Sequence, residues 1–190
     1  KQRNRVKNYE PQKRDRFIGE IKEILANRKE NDSAPYMVYL FNKAFEREFG
    51  KLMDYTDIKK EYNDLVLGLE EEIERKIEQS NDPLATSIIF ARIGNYIDFG
   101  AMNHVDKSVL IEKLESAIKE ELDQKTYESF CYQCENGKYF AILCDNCGEI
   151  VLDKLFIKQL RKRFPHLECY AVVRGAEELN DATAEDAVYC

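Results

Sequence analysis

The sequence predicts an α/β protein: a helical N-terminal region followed by part of a parallel-sheet domain. Three observations carry this. From Pro11 to about Leu122, apolar residues recur at helical spacing and almost nothing alternates as a strand would. Then Tyr139–Cys144 is apolar nearly without a break, the pattern of a strand covered on both faces. It is followed by an amphipathic stretch, Glu149–Phe164, and a second apolar run, Leu167–Val173. Strand, helix, strand at this spacing is a right-handed βαβ crossover.

Taken in order, Pro11 can open a helix to about Arg28, with Phe17, Ile18, Ile21, Ile24 and Leu25 on its apolar side. A second helix is expected from Pro35 to Phe49, stopped by Gly50. It is so apolar that a central position is expected. A third is expected as one long helix from Asp57 to Gln79, with Gly68 a mild cost inside it and the charged tail EEEIERKIEQ a solvated face. Asp82-Pro83 restarts the chain as N-cap and first helical residue, opening a helix to Ile97. A fifth runs from about Lys107 to Leu122. The composition changes near Asp123–Ser129, so the expected division is 1–123, all helical, and 124–190, an incomplete α/β domain. In the last stretch Thr183 can cap a final helix, with Asp186 as the acidic partner three residues on. Two parallel strands do not make a stable sheet alone, so further strands are expected from outside these 190 residues.

Composition narrows the function classes. The formal charge is -7, which disfavours generic nucleic-acid binding. No apolar run approaches membrane-spanning length, and the start, KQRNRVK, lacks the apolar core of a secretory signal. Six cysteines in 190 residues fall short of a disulfide scaffold, so a cytoplasmic setting is expected. Homo-oligomer formation stays open.

The chemistry gathers at the strand ends. Two adjacent parallel strands would deliver Asp145-Asn146 and Asn180-Asp181 to one edge, where ligands bind in open α/β sheets. Two carboxylates with amide oxygens make a hard site, better matched to Mg²⁺, Mn²⁺ or Co²⁺ than to zinc or copper. The helix starting at Gly148 adds N–H groups that favour an anion such as phosphate. A competing pattern is Cys131, Cys134, Cys144 and Cys147, C-x2-C-x9-C-x2-C, which can hold structural zinc and would make this an interaction module. Against it, Cys147 would have to leave the strand-to-helix turn.

Several of these segments together resemble the DUF89 family, the damage-control phosphatases. They are Asp145-Asn146-x-Gly148-Glu149, Val173-Arg174-Gly175 and Leu179-Asn180-Asp181-Ala182-Thr183-x-x-Asp186-Ala187, joined by Ile58-Lys59-x-x-Tyr62-Asn63 and Ala91–Gly100 in the helical part. The resemblance implies a helical region before a Rossmann-like domain. It implies hydrolysis of small phosphate monoesters, sugar phosphates or damaged phosphometabolites, with a divalent metal: Mn²⁺, Co²⁺, Ni²⁺ or Mg²⁺. The family's metal ligands carry over onto Asp145, Asn146 and Asp181. Asn95 and Asp98 match a loop expected to position substrate or water, and Asn180 is a candidate for supporting the metal ligands or contacting substrate. The implied partner is a small phosphorylated metabolite, with neither nucleic acid nor membrane. Cys144 and Cys147 stand where the family usually has small residues, and the lysine- and glycine-containing loop that helps hold phosphate lies beyond Cys190. A chain ending there is expected to bind substrate poorly by itself.

Overall fold

The computed structural model describes residues 2–50, 54–96, 107–177 and 179–190. The chain divides into two compact units, Lys1–Asp54 and Tyr55–Cys190. Among the described residues no helix is long and apolar enough to cross a membrane.

The first unit holds α1 (Gln2–Arg5), α2 (Pro11–Ala26) and α3 (Ala34–Phe49). Ser33 caps α3 by accepting from the Tyr36 N–H, and Gly50, at φ 92°, ends it. Phe17 and Phe45 meet edge to face at 5.8 Å, over buried Ile21 and Ala44. Arg16 joins the same two helices from outside by a fork onto Glu48. α3 carries more apolar surface than its own unit buries: Tyr36 and Val38 are exposed.

The second unit runs through α4 (Thr56–Leu67), α5 (Glu70–Glu78), α6 (Pro83–Tyr96), α7 (Lys107–Ala117), α8 (Gln124–Asn136), β1 (Tyr139–Leu143), α9 (Glu149–Arg163), β2 (Glu168–Val172) and α10 (Ala184–Tyr189). The β1 and β2 strands pair in parallel, Phe140 opposite Cys169 and Ile142 opposite Ala171. The α/β class is therefore observed, as a mostly helical chain with a two-stranded parallel sheet. The α9 helix is the hub. Its Val151, Leu152 and Leu155 are buried in one cluster with Ile73, Phe90 and Leu114. Residue 123 lies inside this unit, with α6 before it packed on α9 after it.

Three expectations change. The long helix of Asp57–Gln79 is two helices. The chain breaks at exposed Gly68, where Leu69 donates to the Val66 carbonyl in a tight turn. The break brings Leu69 into the core beside Val66 and Ile73, which offsets the lost helical bonds. Second, α8 occupies the stretch read as a change of composition; the Asp123 carboxylate caps it by accepting from the Thr126 N–H at 2.9 Å. Third, among the described residues β1 is covered on one face only: Phe140 and Ile142 turn inward, while Tyr139 and Leu143 are exposed.

The acidic run is also more than a solvated face. Glu70, Glu74 and Glu78 on α5 meet Lys154, Lys158 and Lys162 on α9, one pair per turn. Each pair is partly exposed and worth a fraction of a kcal/mol, so the ladder sets the register of the two helices more than it stabilises them.

Candidate functional site

The site is built where both strands end. The ladder continues past β1 with the Cys144 N–H on the Val172 carbonyl. The segment after β2 then folds back across both strand ends. Ala182 donates to the Asp145 carbonyl, Cys147 to the Asn180 carbonyl, and Arg174 to the Ala182 carbonyl. Asn146 and Asp181 sit opposite each other in an isolated antiparallel bridge. Backbone bonds alone thus bring Asp145, Asn146, Asn180 and Asp181 to one rim.

Their side chains share a partner. Arg174 Nε donates to Asp181 Oδ2 at 2.6 Å, and its terminal nitrogen to Asp145 Oδ1 at 3.3 Å. Burial pulls this guanidinium's pKa down, but the two carboxylates outweigh it and hold it above the ordinary arginine value. Asn146 Nδ2 donates to Glu149 Oε2 at 3.4 Å, which fixes the amide.

A second layer reaches in from α4. Asn63, 1% exposed, accepts the Gly148 N–H at 2.7 Å and donates to Asp186 at 3.3 Å. Gly148 has φ 84°, a conformation that leaves glycine as the natural residue. One turn earlier Lys59, 3% exposed, binds Asp186 at 2.7 Å and Glu177 at 2.9 Å. Burial opposes the Lys59 charge, but the two carboxylates win and its pKa lies above the ordinary value. Asp186 closes the arrangement. Its Oδ2 accepts from both the N–H and the hydroxyl of Thr183, so the expected cap of α10 is present. Burial raises the Asp186 pKa, and Lys59 with Thr183 more than reverses this.

These contacts correct the anion expectation. At the start of α9 the Gly148 N–H is taken by Asn63, the Ile150 N–H by the Asn146 carbonyl and the Val151 N–H by the Gly148 carbonyl. The buried acid Glu149 stands in the same turn. This helix end has no vacancy for phosphate at those three groups.

The four cysteines do not converge either. Cys131 and Cys134 lie on α8 against Leu84, Phe156 and Leu160, whereas Cys144 and Cys147 belong to the other cluster with Val151 and Ala182. Burial pushes the Cys134 thiol up to about 11 and Cys144 to about 12, and it drives Cys147 further with Asp186 beside it. Such thiols keep their protons and pack as small apolar groups. Among the described residues no group of three or more His, Cys, Asp or Glu side chains forms a metal cluster. The strand-end donors are two carboxylates and an amide, all oxygen, and that set could hold a hard divalent cation with water completing it.

Of the other expected residues, Asn180 is buried and contributes its carbonyl to the crossing. Asn95 falls in the last turn of α6, with its side chain outside the described residues, as is Asp98 altogether. An apolar cavity of about 530 Å³ is lined by Tyr127, Phe130, Phe140 and Phe156, and none of Asp145, Asn146, Asn180 and Asp181 lines it. A smaller one of about 390 Å³ opens beside Arg92, Glu149 and Asp153.

This architecture has relatives. The profile of the damage-control phosphatase ARMT1-like domain matches residues 1–190. The chain belongs to this family. It is 32% identical over 177 residues to a damage-control phosphatase of Archaeoglobus fulgidus, covering 90% of this chain and 58% of that protein. It is 31% identical over 139 residues to an uncharacterized protein of Methanocaldococcus jannaschii, covering 70% and 44%. The crystal structure of a DUF89 family protein from Pyrococcus horikoshii superposes with a TM-score of 0.71 at 21% identity, over 99% of this chain and 66% of the other. The fold is thus the DUF89 fold, and the chain spans about half the length of the curated relatives it matches.

Proposed function

We propose that Asp145, Asn146 and Asp181 hold a divalent cation, Mn²⁺, Co²⁺, Ni²⁺ or Mg²⁺, in a cytoplasmic phosphatase that hydrolyses small phosphate monoesters. The observation that carries this is a single guanidinium spanning Asp145 and Asp181, residues far apart in sequence. Two carboxylates at one point demand a positive partner, and their all-oxygen company suits a hard one. The substrate class comes from membership in the damage-control phosphatase family and from the relative of that name.

When bound, such a cation neutralises charge on a phosphoryl group and polarises its oxygens. The protein's own residues do the rest. Glu149 holds the Asn146 amide by its nitrogen, which turns the oxygen away from α9. Asn63 and Lys59 keep the 145–148 turn and the 179–186 segment against α4, so the two acidic groups stay in register. Asn95 and Asp98 are assigned to positioning substrate or water, and Asn180 to supporting Asp181. With the Gly148, Ile150 and Val151 N–H groups at the start of α9 occupied, side chains take over the grip on the phosphoryl group.

The test is phosphate release by the full-length protein from a panel of sugar phosphates, with and without Mn²⁺ after chelation. Metal-dependent release that Asp181→Asn abolishes, with the circular-dichroism spectrum intact, supports the assignment. Release unaffected by that substitution or by chelation overturns it.

A further inference from the structure

Arg174 is the part of this rim that the proposed chemistry leaves without a task. It follows β2, half exposed, and its planar fork reaches both acidic groups at once. Its shorter bond goes to the more buried of the two, Asp181, whose side chain is 14% exposed against 45% for Asp145. A guanidinium so placed offsets half of the pair's charge where a divalent cation would offset all of it, and both cannot hold the same oxygens. The surroundings permit an exchange. The arginine side chain is 44% exposed, so it can leave into water with little desolvation to undo. Its backbone N–H on the Ala182 carbonyl does not depend on the side chain and would keep the strand end in place.

We propose that Arg174 is a built-in competitor for the metal site: it closes the Asp145–Asp181 pair when no cation is bound and is displaced when one arrives. The inference rests on the metal assignment made above. It gives the fold a stable metal-free state, because two adjacent carboxylates would otherwise repel. It also makes the measured metal affinity the net of two equilibria, metal binding and arginine release.

The test is a Mn²⁺ titration of the chelated full-length protein, read from the electron paramagnetic resonance signal of free Mn²⁺. Wild type, Arg174→Gln, Arg174→Lys and Asp181→Asn are compared, and thermal unfolding is recorded for each in EDTA and in saturating Mn²⁺. Arg174→Gln is expected to bind Mn²⁺ about tenfold more tightly, the size of one charge-assisted contact of this exposure. Its melting temperature should fall in EDTA and match wild type in Mn²⁺. Arg174→Lys keeps the charge but lacks the fork that spans both acids, so it should fall between the two. A lysine variant indistinguishable from wild type would reduce the effect to long-range charge and overturn the competition. So would unchanged affinity in Arg174→Gln while Asp181→Asn loses Mn²⁺, which leaves the metal assignment standing. Equal affinity in wild type and Asp181→Asn would remove the metal assignment and the competitor with it.

Discussion

Replacing Asn63 with Ala probes how the helical part governs the strand ends. Asn63 is 1% exposed and makes two bonds, one from the Gly148 N–H at 2.7 Å and one to Asp186 at 3.3 Å. Truncation leaves the buried Gly148 N–H without an acceptor, at about 1–3 kcal/mol. The longer bond to Asp186 adds no more than about 1 kcal/mol, since that carboxylate keeps Lys59 and Thr183. The sum is about 1–4 kcal/mol, read as a lower urea midpoint with an unchanged slope. Asn63→Asp is the informative partner. It retains an oxygen for Gly148 but sets a second carboxylate against Asp186, which Lys59 already holds. It should lose less than the alanine variant at low pH and at least as much at neutral pH. An alanine variant within about 0.5 kcal/mol of wild type would refute the reasoning, because a surface substitution costs no more.

Three further outcomes follow from single observations. A Cβ at Gly94 would lie 3.0 Å from Glu149 Cγ and 3.3 Å from its Cα, so Gly94→Ala should push α6 off α9 and cost about 1–3 kcal/mol by chemical denaturation, whereas Gly19→Ala, with open space around it, should cost nothing. Asp153 is held near 7 by burial first and then by the charge of Glu149, although a bond from the Cys144 thiol pulls the other way. Unfolded, the same carboxyl titrates near 4, so the folded state keeps a proton that the unfolded chain has released between about pH 4 and 7. That contribution is complete at the acid end and is lost as pH rises to about 7. It amounts to at most about 4 kcal/mol, and Asp153→Asn in EDTA should flatten the stability profile across that window. Leu179 has φ 49°, the one positive value outside glycine among the described residues, immediately before Asn180-Asp181. Leu179→Asn should raise stability by about 1 kcal/mol in thermal unfolding, since asparagine tolerates this backbone better.

What the sequence reveals of this molecule depends on how local each cause is. The helix of Glu149–Arg163 and its flanking strands are legible because an apolar run, a turn and a basic last turn lie side by side. The Thr183–Asp186 cap is legible for the same reason, with both partners inside one turn. The α8 helix is harder to see. QKTYESFCYQCEN has no aliphatic residue, and it is held by Asp123 at its start and by burial of Cys134. The split at Gly68 turns on whether Leu69 has a core to enter, which is a tertiary matter. Lys59 and Asn63 stand out in sequence only as part of a family-like segment. Their work is done on Gly148, Glu177 and Asp186, more than 80 residues away. Arg174 shows the same limit: a basic residue at a strand end suits phosphate, solvent or a carboxylate equally, and only the return of the 179–183 segment decides for Asp181 and Asp145.

The most direct measurement is anomalous diffraction from crystals of the full-length protein grown with Mn²⁺. One peak at coordination distance from Asp145, Asn146 and Asp181, with the Arg174 guanidinium moved off both carboxylates, is the expected result. A peak at the cysteines, or Mn²⁺ bound elsewhere with Arg174 still bridging Asp145 and Asp181, would contradict it.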